Sequence, residues 1–310
     1  MISLALTICV VVSGNQAEKP LAELPYSRTE AVKYLRFSPN AKRLTIGTVS
    51  GELVTWDLAS KRPVSRMIAG REVRGYAVTG SGQVFTLHAD GSVAIRDAAS
   101  GDVAKRVFQK GRVTWIGEAG GSVFAVMQPR GSDDVYQLVK YPDDVIFAGR
   151  RFGPVALSAA GDMVAIGLPG GKVSLYDPGT ARLRRTLTVG SFGGLALSAD
   201  GQLLAVTSDA DSPILLFSTA TGKQAARLTT GLSLDDSVVL LAFSPDGKYV
   251  AAGTTLDRVG LISTKTRKNA RIYGTGAGSY YSIRALTFSQ DGKRVAIAFF
   301  LGGVKVYPVP

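Results

Sequence analysis

One turn recurs along this chain at a nearly constant interval, and that interval constrains the fold more than any other feature. It closes an apolar run and reads Phe37-Ser38-Pro39-Asn40, Val78-Thr79-Gly80-Ser81-Gly82, Leu157-Ser158-Ala159-Ala160-Gly161, Leu197-Ser198-Ala199-Asp200-Gly201, Phe243-Ser244-Pro245-Asp246-Gly247 and Phe288-Ser289-Gln290-Asp291-Gly292. Counted on the Ser or Thr, the gaps are 41, 79, 40, 46 and 45 residues, so the 79 spans two periods with one degraded copy between. A second mark ends a later run: Trp56-Asp57, Arg96-Asp97, Tyr176-Asp177, Phe217-Ser218, Ile262-Ser263 and Tyr307-Pro308. Its gaps of 40, 80, 41, 45 and 45 keep the same register, with Tyr136 expected to fill the missing copy.

Between the marks lie short β-branched and aromatic runs bounded by Gly, Asp and Pro, which read as strands. Four fall in each period; in the first copy they cover about 32–38, 43–47, 53–57 and 63–68. Four strands per unit of 40–45 residues is a propeller pattern. First strands begin near residues 32, 74, 112, 154, 194, 238 and 283, which predicts an all-β, seven-bladed propeller over 18–310.

The segment Asp90-Gly91-Ser92-Val93-Ala94-Ile95-Arg96-Asp97, the turn Ser244-Pro245-Asp246-Gly247 and the pair Trp56-Asp57 resemble the WD40-repeat family in a divergent, bacterial-type form. The resemblance implies blades of four antiparallel strands and a ring closed by pairing both chain ends in one blade. No copy carries the family's Gly-His pair and only one carries Trp-Asp, so its Asp–His–Ser–Trp tetrad is missing and blade packing must rest on apolar contacts. The seventh copy has three strands, and Leu21-Ala22-Glu23-Leu24-Pro25-Tyr26 is expected to supply the fourth. Pro25 is acceptable on an outermost strand, where a missing N–H costs little.

Residues 2–12 form an uninterrupted apolar run, too short to span a bilayer. Residues 1–17 are read as a signal peptide, with Gly14 or Ala17 as the cleavage point, although no Lys or Arg precedes the run. That reading predicts a secreted or periplasmic protein; without it the chain is cytoplasmic. Cys9 is the only cysteine, so the processed chain would have neither a disulfide nor thiol chemistry.

The 36 basic and 24 acidic residues give a net charge of +12, and it is unevenly placed. Five windows covering the third-to-fourth-strand turn and the fourth strand hold Lys61, Arg62, Arg66, Lys105, Arg106, Arg182, Arg184, Arg185, Lys223, Arg227, Lys265, Arg267, Lys268 and Arg271, against the single acid Asp102. This candidate basic rim has two readings. Cations on exposed outer strands deter sheet-to-sheet association, and a basic ring attracts polyanions. Specific nucleic-acid readout is not expected, because the windows have few aromatics and no helix is predicted to enter a groove.

Catalytic and metal patterns are sparse. The single histidine, His88, lacks a Gly-x-Ser-x-Gly elbow and is read as a turn residue. One His without Cys is a poor zinc set, and Asp209-Ala210-Asp211 lacks the remaining ligands of a calcium loop; no cofactor or metal is expected. The face carrying interblade links and second-to-third-strand turns offers Arg71, Arg74, Arg150, Arg151, Phe192, Tyr280 and Tyr281 as candidate partner contacts, since arginine and aromatic anchors dominate interface energies. Phe192 and Tyr281 have an alternative role in packing between blades. The leading expectation is a non-enzymatic, monomeric scaffold for a protein or peptide. The alternatives are a lactonase- or hydrolase-like ring drawing Asp90, Asp209 and Asp257 to the channel mouth, which fold alone does not exclude, and a polyanion binder.

Overall fold

The computed structural model describes residues 18–24, 31–70, 72–98, 100–132, 134–150, 153–208, 213–230, 237–274, 283–300 and 303–310. Within them the chain forms seven four-stranded antiparallel sheets. The first strands of successive sheets touch their neighbours in an unbroken cycle, so the sheets are blades of a closed ring around a central channel. These strands start at Val32, Val73, Gly111, Val155, Phe192, Val238 and Ala285, within two residues of the expected positions. The signal-peptide reading of residues 1–17 lies outside the described residues, as do Pro25 and Tyr26 of the closing segment.

Burial within a blade follows from its place between two neighbours. Middle strands are covered on both faces and carry continuous apolar runs, such as Val164–Leu168 and Arg294–Phe299. Outer strands are polar; in Arg182–Thr188 only Leu187 is buried. Small residues let blades close in. An added Cβ at Gly47 would sit 2.8 Å from the Tyr76 ring of the next blade, and one at Gly167 would sit 2.7 Å from Phe192. The Tyr76 hydroxyl donates to Thr48 O across that seam at 2.7 Å.

The recurring Ser is a structural device. Ser244, fully buried, accepts the Tyr249 N–H at 2.9 Å and donates to Asp246 Oδ1 at 2.7 Å. Ser198 and Ser289 repeat both bonds with Leu203 and Asp200, and with Arg294 and Asp291. Blade 3 lost the mark because it turns differently: Ala119 pairs directly with Ser122, leaving a two-residue Gly120-Gly121 loop at φ 55° and 77°. Two successive positive φ values define a tight hairpin turn that suits glycine. Its aromatic position is Tyr141 and not the expected Tyr136. Tyr141 donates its N–H to Val123 O, opposite Glu118, and its ring meets Phe85 and Phe108 edge-on. The longer second connection outweighs the shorter first turn and puts Tyr141 45 residues after Arg96, so counting forty landed on the wrong end of the strand.

Blade 7 closes as expected. Ala22–Leu24 pairs antiparallel with Gly303–Pro308, and Ala22 and Leu24 are buried in a cluster that includes Leu35, Trp56 and Val306. Arg294 ties blade 7 to blade 1 through Ala41 O at 2.7 Å. On the other side, Tyr273 stacks on Tyr307 and donates to Pro308 O at 2.6 Å; burial pushes both phenols well above their usual range.

The missing tetrad leaves visible traces. The Trp56 indole N–H is buried without a hydrogen-bond partner among the described residues. Blade 2 has Arg96 at that position, donating to Thr86 Oγ1 at 3.1 Å, His88 Nε2 at 2.8 Å and Gly101 O at 3.0 Å. Arginine only donates, so His88 Nε2 is the acceptor of that contact in this network.

Candidate functional site

First-to-second-strand and third-to-fourth-strand turns gather on one side of the ring, here the turn face. Interblade links and second-to-third-strand turns gather on the other, the link face. The channel opens on the turn face into a cavity of about 690 Å³, lined by the ends of the inner strands and their turns. Its wall includes Leu157, Leu195, Leu241, Phe243, Leu286 and Phe288. The charged lining residues are Arg36 and Glu118, from blades 1 and 3, and they form an ion pair at 3.2 Å. Beside Arg36, burial raises the Tyr34 phenol to about 12, against the opposing pull of that guanidinium. Sequence reading missed this mouth, because Arg36 and Glu118 lie in different copies and only ring closure joins them.

The basic rim is where the repeat places it. Every member is exposed except the partly covered Arg271. Arg66, Arg184 and Arg271 pair with Glu52, Asp177 and Glu18 respectively. The Arg184 guanidinium, donating at 2.6 Å, is the main reason the Asp177 carboxyl sits at about 2. The other eleven form no ion pair among the described residues. The rim is broken at blade 3, where Asp143 holds Lys110 at 3.0 Å, and at blade 7, where Glu23 faces Lys305 at 3.3 Å. Third- and fourth-strand pairing contains a register shift in each of blades 1 to 6. Bulges and charge both discourage edge pairing.

On the link face, Arg74 and Arg150 are exposed. Phe192 is half-buried beside Gly167, in the seam between blades 4 and 5, where a shallow cavity of about 350 Å³ also involves Gly153 and Pro169. Arg71, Arg151, Tyr280 and Tyr281 lie outside the described residues, as does Asp209. Asp90 and Asp257 stand on second-to-third-strand turns of blades 2 and 6, which are not neighbours, and the fold does not bring them together. Asp90 accepts from the Ser92 N–H at 2.8 Å, and its hydrogen bonds to Ser92 lower its carboxyl. Among the described residues no group of three His, Cys, Asp or Glu side chains is placed to hold a metal ion.

No family model matches the chain, and no curated protein matches it in sequence. Among solved structures it is similar to the β-propeller domain of Myceliophteria thermophila Cps50 (Swd1). The TM-score is 0.72 at 16% identity, covering 94% of this chain and 100% of that one. At that identity the likeness carries the fold alone.

Proposed function

We propose that this chain is a non-catalytic scaffold that binds a protein or peptide partner on its propeller faces. The observation that carries the reading is the turn-face mouth. Seven inner strands surround a concave apolar opening of about 690 Å³, and its Arg36 and Glu118 are matched to each other. The Ser and Asp side chains of three of the turns around it are committed to holding their own backbone. Such a surface receives apolar side chains from a partner; it presents no nucleophile–base arrangement. Ala159 is exposed on its rim, so Ala159→Trp plugs the opening from outside the core. Crosslinked pull-down should capture a partner with the wild type and lose it with Ala159→Trp at unchanged melting temperature. Equal capture by both proteins would remove the mouth from the reading, and turnover of lactone or ester substrates by the pure chain would overturn the non-catalytic part.

A second reading rests on the eleven exposed rim cations that form no ion pair among the described residues: the rim holds a polyanion. Retention on heparin at about 150 mM salt supports it. Elution at the dead volume assigns those cations to edge protection.

A further inference from the structure

The register of the inner strands reveals a second charged feature, distinct from the outer rim. Counting five residues back from each turn Ser or Thr gives Lys33, Arg74, Gly153, Gly193, Val239 and Arg284. In blades 1, 2 and 6 this residue is an extra one, bulged out where the first strand begins to pair with the second. Arg284 begins the inner strand of blade 7, its N–H donating to Ala298 O at 2.9 Å. The position lies where each inner strand leaves its interblade link, at the link-face end of the channel. It is cationic on blades 7, 1 and 2, which are consecutive, and uncharged on blades 4, 5 and 6.

Lys33, Arg74 and Arg284 are all exposed, and none forms an ion pair among the described residues. Arg284 lies over the Phe300 ring at 4.4 Å, which holds its guanidinium while leaving the planar edge available to an anion. Arg112 on blade 3 is also exposed and extends the arc; its side chain lies over Gly91, on the neighbouring turn of blade 2. Among the described residues the acids Glu72 and Asp90 pair with none of these cations, and the Asp90 carboxylate is held by its own turn; Glu30, three residues before Lys33, lies outside the described residues.

We propose that this arc of blades 7, 1, 2 and 3 binds a short acidic peptide segment of the partner, with carboxylates seated on Lys33, Arg74, Arg112 and Arg284. The inference names partner chemistry within the scaffold reading and rests on it. Charge complementarity selects the ligand: guanidinium groups take carboxylates two-pronged. Four cations suit a few carboxylates, whereas a nucleic-acid tract typically meets about 6–10 phosphate contacts. Among the described residues stacking platforms for bases are also scarce here, since Phe192 faces Gly167 in a seam and Phe300 lies beneath Arg284.

The test uses the full chain and a fluorescent hexaglutamate peptide, followed by anisotropy at low salt and at about 150 mM. The wild type should bind, and the triple variant Lys33→Glu, Arg74→Glu, Arg284→Glu should weaken binding at least about tenfold. A control reversing Lys223, Arg227 and Lys268 on the outer rim should leave binding within about twofold. If the triple variant melts early, the milder Lys33→Gln, Arg74→Gln, Arg284→Gln set replaces it. No hexaglutamate binding, wild-type binding by the triple variant, or equal loss in the rim control overturns the proposal. Tighter binding of an oligothymidylate of equal charge, lost in the same variant, assigns the arc to nucleic acid instead. Partner capture with Ala159→Trp reads the opposite mouth, so failure of one idea is distinguishable from failure of the other.

Discussion

The two ends of the channel are made by the same seven strands, yet their chemistry differs. At the turn face the inner strands finish in Ser–Asp turns, the lining is apolar, and Arg36 is matched by Glu118. At the link face the strands begin with bulged or link residues, and Lys33, Arg74 and Arg284 stand exposed with no ion pair among the described residues. The difference teaches where this repeat is constrained. The turn end holds hydrogen-bonded geometry that each blade needs, so its polar groups serve the fold. At the link end the bulge residue leaves the ladder, so its side chain is open to change from blade to blade.

The most damaging change removes both ends together. Ala22→Asp with Leu24→Asp puts charge into the buried seam of blades 7 and 1. Loss of the Leu24 burial alone costs about 2–5 kcal/mol. A melting temperature lower by about 10 °C or more is expected from calorimetry, at about 2–4 °C per kcal/mol. An unchanged value would show that the ring does not depend on its closing strand.

Next in size is a change confined to the turn end. Ser244→Ala strands the Tyr249 N–H and releases Asp246, at a cost of about 1–3 kcal/mol by denaturant titration. The link-face triple reversal should leave stability nearly untouched while changing hexaglutamate binding. A large stability loss there would erase the contrast between the ends.

The smallest expected effect is acid sensitivity, and it belongs to the turn end. Ser198 and Ser289 donate to Asp200 and Asp291 and hold both carboxyls below their usual range. Because the folded values are depressed, the stabilisation is complete above the unfolded carboxylate value of about 3.9 and is lost as pH falls through the lower folded values. Melting curves from pH 7 to pH 3 should show a smaller drop for Asp200→Asn with Asp291→Asn than for the wild type.

Much of this was legible from residues alone. Six turn marks located six blades, and Leu21-Ala22-Glu23-Leu24 pointed to the closing strand, because a spacing of 40–45 residues admits few packings. Blade 3 was misread at Tyr136, since a lengthened connection puts Tyr141 45 residues after Arg96, which the ladder registers and a count of forty does not. Phe192 was open to two roles, contact and packing; its half-buried ring lies beside Gly167 in the seam, a placement no local pattern specified. The arc at Lys33, Arg74 and Arg284 was written at a fixed offset from the turn mark. It became meaningful only when the bulge showed which residues leave the ladder.

The sequence by itself determined the blade count, the strand order within a blade and the basic outer strands, because each is a local pattern repeated along the chain. Tertiary structure alone decided which residues meet: Arg36 with Glu118, Phe192 with Gly167, and blades 7, 1 and 2 as neighbours at one mouth. The physical reason is ring closure. It joins residues separated by tens to hundreds of positions, and no local periodicity specifies which side chains will share the channel.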